Sequence, residues 1–237
     1  MAAQDPKSLY LTNDPSIEVL LRRSARARRY TLRVSQLDGR VTLTLPARAS
    51  LQDGIAFIND KADWITTQVA GQGGQTVIAL GNDVPFEGRT HHLCLSSTHK
   101  SVQVGAGEIF LPQRHQDRAA PAVKAFLKQA ARDRLAAACD HYAEQIDRRV
   151  GRITLRDTRS RWGSCTHRGD LMFSWRLIMA PPAVLRYVAA HEVAHLIEMN
   201  HSPDFWAIVA ELCPDYQAHR AWLRQHGAQL HRVVFPD

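Results

Sequence analysis

His191, Glu192 and His195 stand in the order His-Glu-Val-Ala-His, and His201 follows six residues later. At about 100° per residue, two histidines four apart lie on one face of an α-helix, a turn apart, so both imidazoles can reach one metal ion. Glu192 falls on the flank of that face, where a metal-bound water would sit and could lose its proton to a carboxylate. His201 cannot share the face, so the helix must end before it. Asn200 tolerates the left-handed conformation that closes a helix, while Ser202 and Pro203 read as the N-cap and first position of the next one. The expected chemistry is metal-assisted hydrolysis, with His191, His195 and His201 as ligands of a Zn2+ cofactor and Glu192 as general base. Two histidines merely packed in a core helix are the plainer alternative, but Val188, Ala189, Val193, Ala194, Leu196 and Ile197 already supply an apolar face.

The surrounding pattern says which elements position these residues. Residues 16–46 alternate at period two through Ile17, Val19 and Leu21, then Tyr30, Leu32 and Val34, then Val41, Leu43 and Leu45. With a turn at Asp38-Gly39 this predicts a strand followed by a hairpin. Ser50 to Val69 reads as one helix with Ser50 as its N-cap, and a Gly-rich stretch follows at Gly71 to Gly74. Short strands are expected at 76–80, 90–96, 101–104 and 108–111, with a turn at Gly81-Asn82-Asp83. A long helix is expected over 122–150, strands at 153–157 and 170–175, the metal helix over 181–199, and two closing helices at 203–213 and 216–227. The resulting fold class is α+β: a β-rich N-terminal region over 1–116, then a helical catalytic region with a small sheet over 117–237.

Composition narrows the classes. With 237 residues and 45% hydrophobic content the chain can bury a substantial core. No apolar run approaches the roughly 20 residues that span a bilayer, and MAAQDPKSLY lacks the apolar stretch of a signal peptide, so a soluble, cytoplasmic protein without a membrane partner is expected. Cys94, Cys139, Cys165 and Cys213 are scattered with no C-x-x-C pair, which points to reduced thiols. The net charge of +7 suggests an anionic partner only weakly.

Beyond the histidine motif, Arg161-Trp162-Gly163-Ser164-Cys165, Trp175-Arg176-Leu177-Ile178, Ala180-Pro181, and Asn200-His201-Ser202-Pro203 with Phe205-Trp206 together resemble the YgjP-like metallopeptidase family, related to the SprT-like and Wss1-like proteases. Ser24 to Arg28 and Trp64-Ile65 extend the likeness into the N-terminal half. The resemblance implies a zincin-type catalytic region with the same three ligands and general base. The spacing also fits H-E-x-x-H-x-x-G-x-x-H, but Glu198 stands where that pattern has Gly, so a metzincin turn is not expected. Glu211 is a weaker candidate for third ligand, Tyr216 a weak candidate for oxyanion stabiliser, and His91, His92 and His99 are structural. The Arg161–Cys165 turn precedes a strand that could form the cleft wall and pair by its edge with an extended peptide, while a packed Trp and a buried inert thiol are the plainer reading.

A peptide or protein substrate leads. Six arginines at 22, 23, 26, 28, 29 and 33 leave two alternatives open. One is a metal-dependent nucleotide phosphohydrolase of the nucleoside triphosphate pyrophosphatase type; the other is a protease associated with DNA. The bland role for these arginines is a solvated edge that blocks sheet aggregation.

Overall fold

In the computed structural model, which describes residues 5–35, 39–71 and 74–236, the N-terminal period-two runs become strands β1 (Ser8–Tyr10), β2 (Glu18–Ser24), β3 (Thr31–Val34) and β4 (Val41–Pro46). They form one sheet in the order β1-β2-β4-β3. β3 and β4 pair antiparallel as the expected hairpin, while β2 lies parallel to β4 on its other side. Asp38, read as part of the hairpin turn, lies outside the described residues. Val41, Leu43 and Leu45 are all buried and point to one face, which the helices α1 (Leu51–Asp60) and α2 (Ala62–Ala70) cover. Gly54 lets α1 come close, since a Cβ there would lie 2.9 Å from Leu45 Cδ2. Ser50 caps α1 by accepting from the Asp53 amide at 3.3 Å. The single helix expected over 50–69 is instead broken at Lys61 (φ −100°, ψ 9°), with Ile58 before the break and Ile65 after it both reaching the same core.

The second unit carries β5 (Thr76–Val77), β6 (Asp83–Phe86), β7 (Arg89–Ser96), β8 (Gln103–Val104) and β9 (Glu108–Pro112). After a short 3-10 turn at Gln113–Arg118 comes the long helix α3 (Ala119–Gln145). Strands β10 (Ile153–Arg156), β11 (Gly163–Cys165) and β12 (Leu171–Ser174) follow, then a 3-10 turn at Trp175–Met179. Helices α4 (Pro182–Ala194), α5 (Pro203–Leu212) and α6 (Tyr216–His231) and strand β13 (Val233–Val234) close the unit. The sheets run β6-β7-β9-β8, β10-β12-β11 and β13-β5. β6 replaces part of the turn read at 81–83. It is joined to β7 by Glu87 and Gly88, both at positive φ (48° and 76°), the backbone of a tight hairpin. That hairpin tip is held to the turn leading into α4: the Glu87 amide donates to Ile178 O at 2.8 Å and the Gly88 amide to Met179 O at 3.2 Å.

The chain divides into compact units at residues 1–74 and 75–237, not at 116. The reason is packing. Val84, Phe86, Leu93, Ile109 and Leu111 of the strands belong to the same core as Val123, Leu127, Leu177 and Val188 of the helical part. Alternation along a strand identifies a buried face but not which helix covers it. No helix among the described residues is long and apolar enough to cross a membrane, and all four cysteines are free.

Candidate metal centre

Helix α4 is buried on most of its circumference, with Val184, Val188, Ala189, Ala190, Val193 and Ala194 all shielded. Pro182 starts it, as expected of a residue without an amide to satisfy. It ends at Ala194, several residues before the expected 199, and His195 is its C-cap. Backbone angles of −66° and −12° there still hold the imidazole on the face of His191. Asn200 is not left-handed. Instead its amide side chain donates to Glu198 Oε1 at 2.5 Å and its Oδ1 accepts from the Ser202 amide at 2.7 Å, so hydrogen bonds rather than a special backbone close the turn. Ser202 accepts from the Phe205 amide at 3.3 Å and Pro203 follows, as expected, starting α5.

This turn brings His201 back. The candidate ligand nitrogens of His191, His195 and His201 all lie within 4.8 Å of one another. The Nε2 atoms of His191 and His201 are 3.0 Å apart, close to the roughly 3.3 Å that two ligands at about 2.05 Å take around a tetrahedral ion. His195 uses Nδ1 on the Glu198 carbonyl at 2.9 Å, which sets the tautomer and leaves Nε2 free. Burial, then the neighbouring His195, His201 and Arg220, push His191 down to about 3, and burial likewise lowers His195, so both rings are neutral and able to ligate. Three imidazoles facing one point suit a borderline divalent metal.

Phe205 is the floor of the cluster. Its ring stacks on His195 (centroids 4.4 Å, 25°) and meets His191 and His201 edge-on at 4.9 and 4.8 Å. Trp206 flanks His201 at 5.8 Å, and Trp206 in turn stacks with Tyr216 at 5.4 Å and carries the Arg220 guanidinium over its ring at 4.7 Å. Tyr216 is therefore one ring removed from the ligands, and Glu211 is not among the clustered groups. The Phe205-Trp206 pair is conspicuous in the sequence, but its role under the imidazoles follows only from the angle at which α5 leaves the turn.

Glu192 is buried at 5% exposure. Burial raises its carboxyl to about 8, against which the Arg161 charge pulls it down; a divalent cation alongside would draw it down further. Over the carboxylate lies Gly163, where a Cβ would sit 2.6 Å from Glu192 Cγ and 2.7 Å from Cδ. Residues 163–165, read as a turn before the cleft-wall strand, are themselves the edge strand β11, antiparallel to β12. Ser174 donates to Trp162 O at 2.8 Å and Thr166 donates to Asp170 O at 3.0 Å. Since antiparallel residues alternate between bonding inward and outward, the main-chain groups of Gly163 and Cys165 face the open edge. Trp162 anchors the strand by packing on Gly227 and on the His231 ring at 4.9 Å. Cys165 lines the cleft, and burial with the Glu192 and Asp170 charges lifts its thiol to about 11, far from a nucleophile's range. A cavity of about 450 Å³ joins these groups, lined by Ser160, Arg161, Gly163 and Met199 together with Glu192 and the histidines.

The YgjP-like metallopeptidase domain model matches residues 28–226. The chain belongs to the YgjP-like metallopeptidase family. Comparison with curated proteins finds no match. Among solved structures, the metallopeptidase zymogen of Pyrococcus abyssi abylysin shares 17% identity at a TM-score of 0.36, the match covering 42% of this chain and 99% of that one. Membership makes this YgjP-like metallopeptidase a metal-dependent hydrolase of peptides or proteins, and the histidine cluster is a group that could hold its ion. The arginines of 22–33 lie in the other unit, away in sequence from this family's histidines. Arg23 is occupied there by Asp5 and by the carbonyls of Pro46, Ala47 and Ala49 at 3.1, 3.0 and 2.8 Å, and the other five are exposed. Nothing in the family assignment supports nucleotide or DNA binding.

Proposed function

We propose that the protein is a zinc metallopeptidase of the H-E-x-x-H type, with His191, His195 and His201 as the zinc ligands and Glu192 as the general base. The observation that carries this reading is the convergence of the three imidazoles within 4.8 Å beside a buried carboxylate. The three imidazoles would hold a zinc ion, which would supply the Lewis acidity needed to polarise the scissile carbonyl and to make a water more acidic. Glu192 takes the proton of the attacking water and passes it to the departing amine. A carboxyl lifted towards neutrality by burial suits both halves of that exchange. His195 is held in its ligating tautomer by the Glu198 carbonyl. The outward amide and carbonyl groups of Gly163 and Cys165 bind an extended peptide as an added strand, which lays its backbone across Glu192. The four free thiols fit a reducing compartment such as the cytoplasm.

The test is turnover of casein, a peptide library and nucleoside triphosphates side by side, with metal content measured on the same protein. Peptide cleavage that disappears with chelation and returns with zinc is the expected result. Hydrolysis of triphosphates alone would refute the peptidase reading.

A further inference from the structure

Among the described residues lining the cleft, Arg161 and Glu192 are the only Arg, Lys, Asp or Glu; apart from the three histidines the others, among them Ser160, Ser164, Cys165 and Met199, carry no ionic side chain. Its side chain makes no hydrogen bond or ion pair with any described residue, and only its main-chain carbonyl is used, by Thr158 Oγ1 at 2.9 Å. Nearby acids are engaged elsewhere. Asp170 accepts from the Arg152 amide at 2.8 Å, Asp157 is bidentate on Arg176 at 2.6 and 3.1 Å, and Glu198 holds Asn200. Arg176 and Arg134 of the same unit, by comparison, close on carboxylates. A guanidinium presents a planar fork of donors matched to a carboxylate, and here the fork stands open in the cleft, near enough for its charge to act on Glu192.

We infer that Arg161 is a specificity-determining residue that favours peptides carrying an aspartate or glutamate on the C-terminal side of the cleaved bond. The inference rests on the peptidase reading above. The side follows from register. Arg161 lies just N-terminal to β11, whose Gly163 marks the position of Glu192. A peptide adding antiparallel to β11, the more stable of the two ladders, places its later residues opposite the earlier residues of the strand. The residue beyond the scissile bond therefore faces Arg161. No acid on the described cleft wall other than Glu192 competes for the guanidinium.

Peptides that differ only at that position, carrying Glu, Gln or Lys, decide the matter with the full-length protein. A charge-assisted contact at an open cleft gives about a tenfold advantage in kcat/KM for Glu over Gln, with Lys lowest. Arg161→Gln should level the three, and Arg161→Glu should reverse the order in favour of Lys. A wild-type protein without preference, or variants that lower all three peptides alike while keeping the order, would overturn the inference. Affinity of the same labelled peptides for the Glu192→Gln protein, followed by fluorescence anisotropy, separates selection from turnover. The same ranking is expected there, and equal affinities overturn the assignment. Ranked binding by a protein that cuts no peptide would instead refute the peptidase reading and leave the role of Arg161 standing. Triphosphate hydrolysis that depends on Arg161, with no ranking among the peptides, would assign the anion to a phosphate and overturn the proposal.

Discussion

Replacing Gly163 by Ala adds a single methyl group at the most crowded point of the centre. Its carbon would lie 2.6 Å from Glu192 Cγ and 2.7 Å from Cδ, where ordinary contact begins near 3.4 Å. Glu192 is 5% exposed and buried against solvent, and Gly163 follows Trp162, whose carbonyl accepts from the Ser174 amide at 2.8 Å and fixes the strand. Either the carboxylate or the edge strand must therefore shift by about 0.8 Å, and a displacement of about 1 Å at reacting groups costs on the order of a hundredfold in rate. Overpacking of this kind also lowers stability by about 1–3 kcal/mol. In steady-state assays on a peptide substrate, kcat for Gly163→Ala should fall by about a hundredfold while bound metal, measured by elemental analysis, stays at the parent level. Gly74→Ala is the control, because a Cβ there meets nothing within 4 Å. Turnover near that of the parent in a folded, metal-loaded Gly163→Ala protein would show that the contact with the carboxylate does not position the base.

Glu192→Gln should keep metal and fold while losing about a hundredfold or more of turnover, since the amide cannot accept the proton; parent-like activity with full metal would remove it as the base. His191→Ala and His201→Ala should each lose bound zinc in elemental analysis, and full retention by either would take that residue out of the ligand set. Phe205→Ala should lower stability by about 3–5 kcal/mol in denaturant titration and weaken zinc affinity, because one ring floors all three imidazoles; a loss of stability without any change in affinity would mean the floor is only packing. Burial, with the Arg176 charge next, holds His231 down at about 4, against about 6.5 in an unfolded chain. Its neutral form is therefore favoured by folding: the contribution is complete above pH ~6.5 and is lost as pH falls from there towards 4, at no more than about 1.4 kcal/mol per pH unit. His231→Phe, which preserves a ring against Trp162, should show a shallower loss of stability over that interval, and an unchanged slope in urea titrations would contradict it.

The histidine pair, the glutamate beside it and the break before His201 are legible in the chain because helical periodicity and capping act within a few residues. The same locality explains the strands of alternating Val, Leu and Ile and the Ser50 and Ser202 caps, all of which the structure contains. Where the local signal is shared between conformations, prediction and structure part: the break at Lys61, the early end of α4 at Ala194 and the strand at 83–86 are settled by what packs against them. The two-unit division at residue 74 has the same origin, since the strands of 83–112 are bound to the helical part by a common core.

For the centre itself, residue types and spacing were enough to nominate His191, Glu192, His195 and His201, because the chemistry needs those groups on one helix turn and its return. Three further features depend on the tertiary fold. These are Gly163 pressed over the carboxylate, Phe205 beneath the imidazoles, and Arg161 open in the cleft. Each arises where separate elements meet, β11 on α4 or α5 folded back on α4, and a contact of that kind leaves no periodic trace in either segment. A glycine in a strand or a phenylalanine in a helix reads the same whether or not it touches a reacting group; only the neighbour it meets distinguishes them.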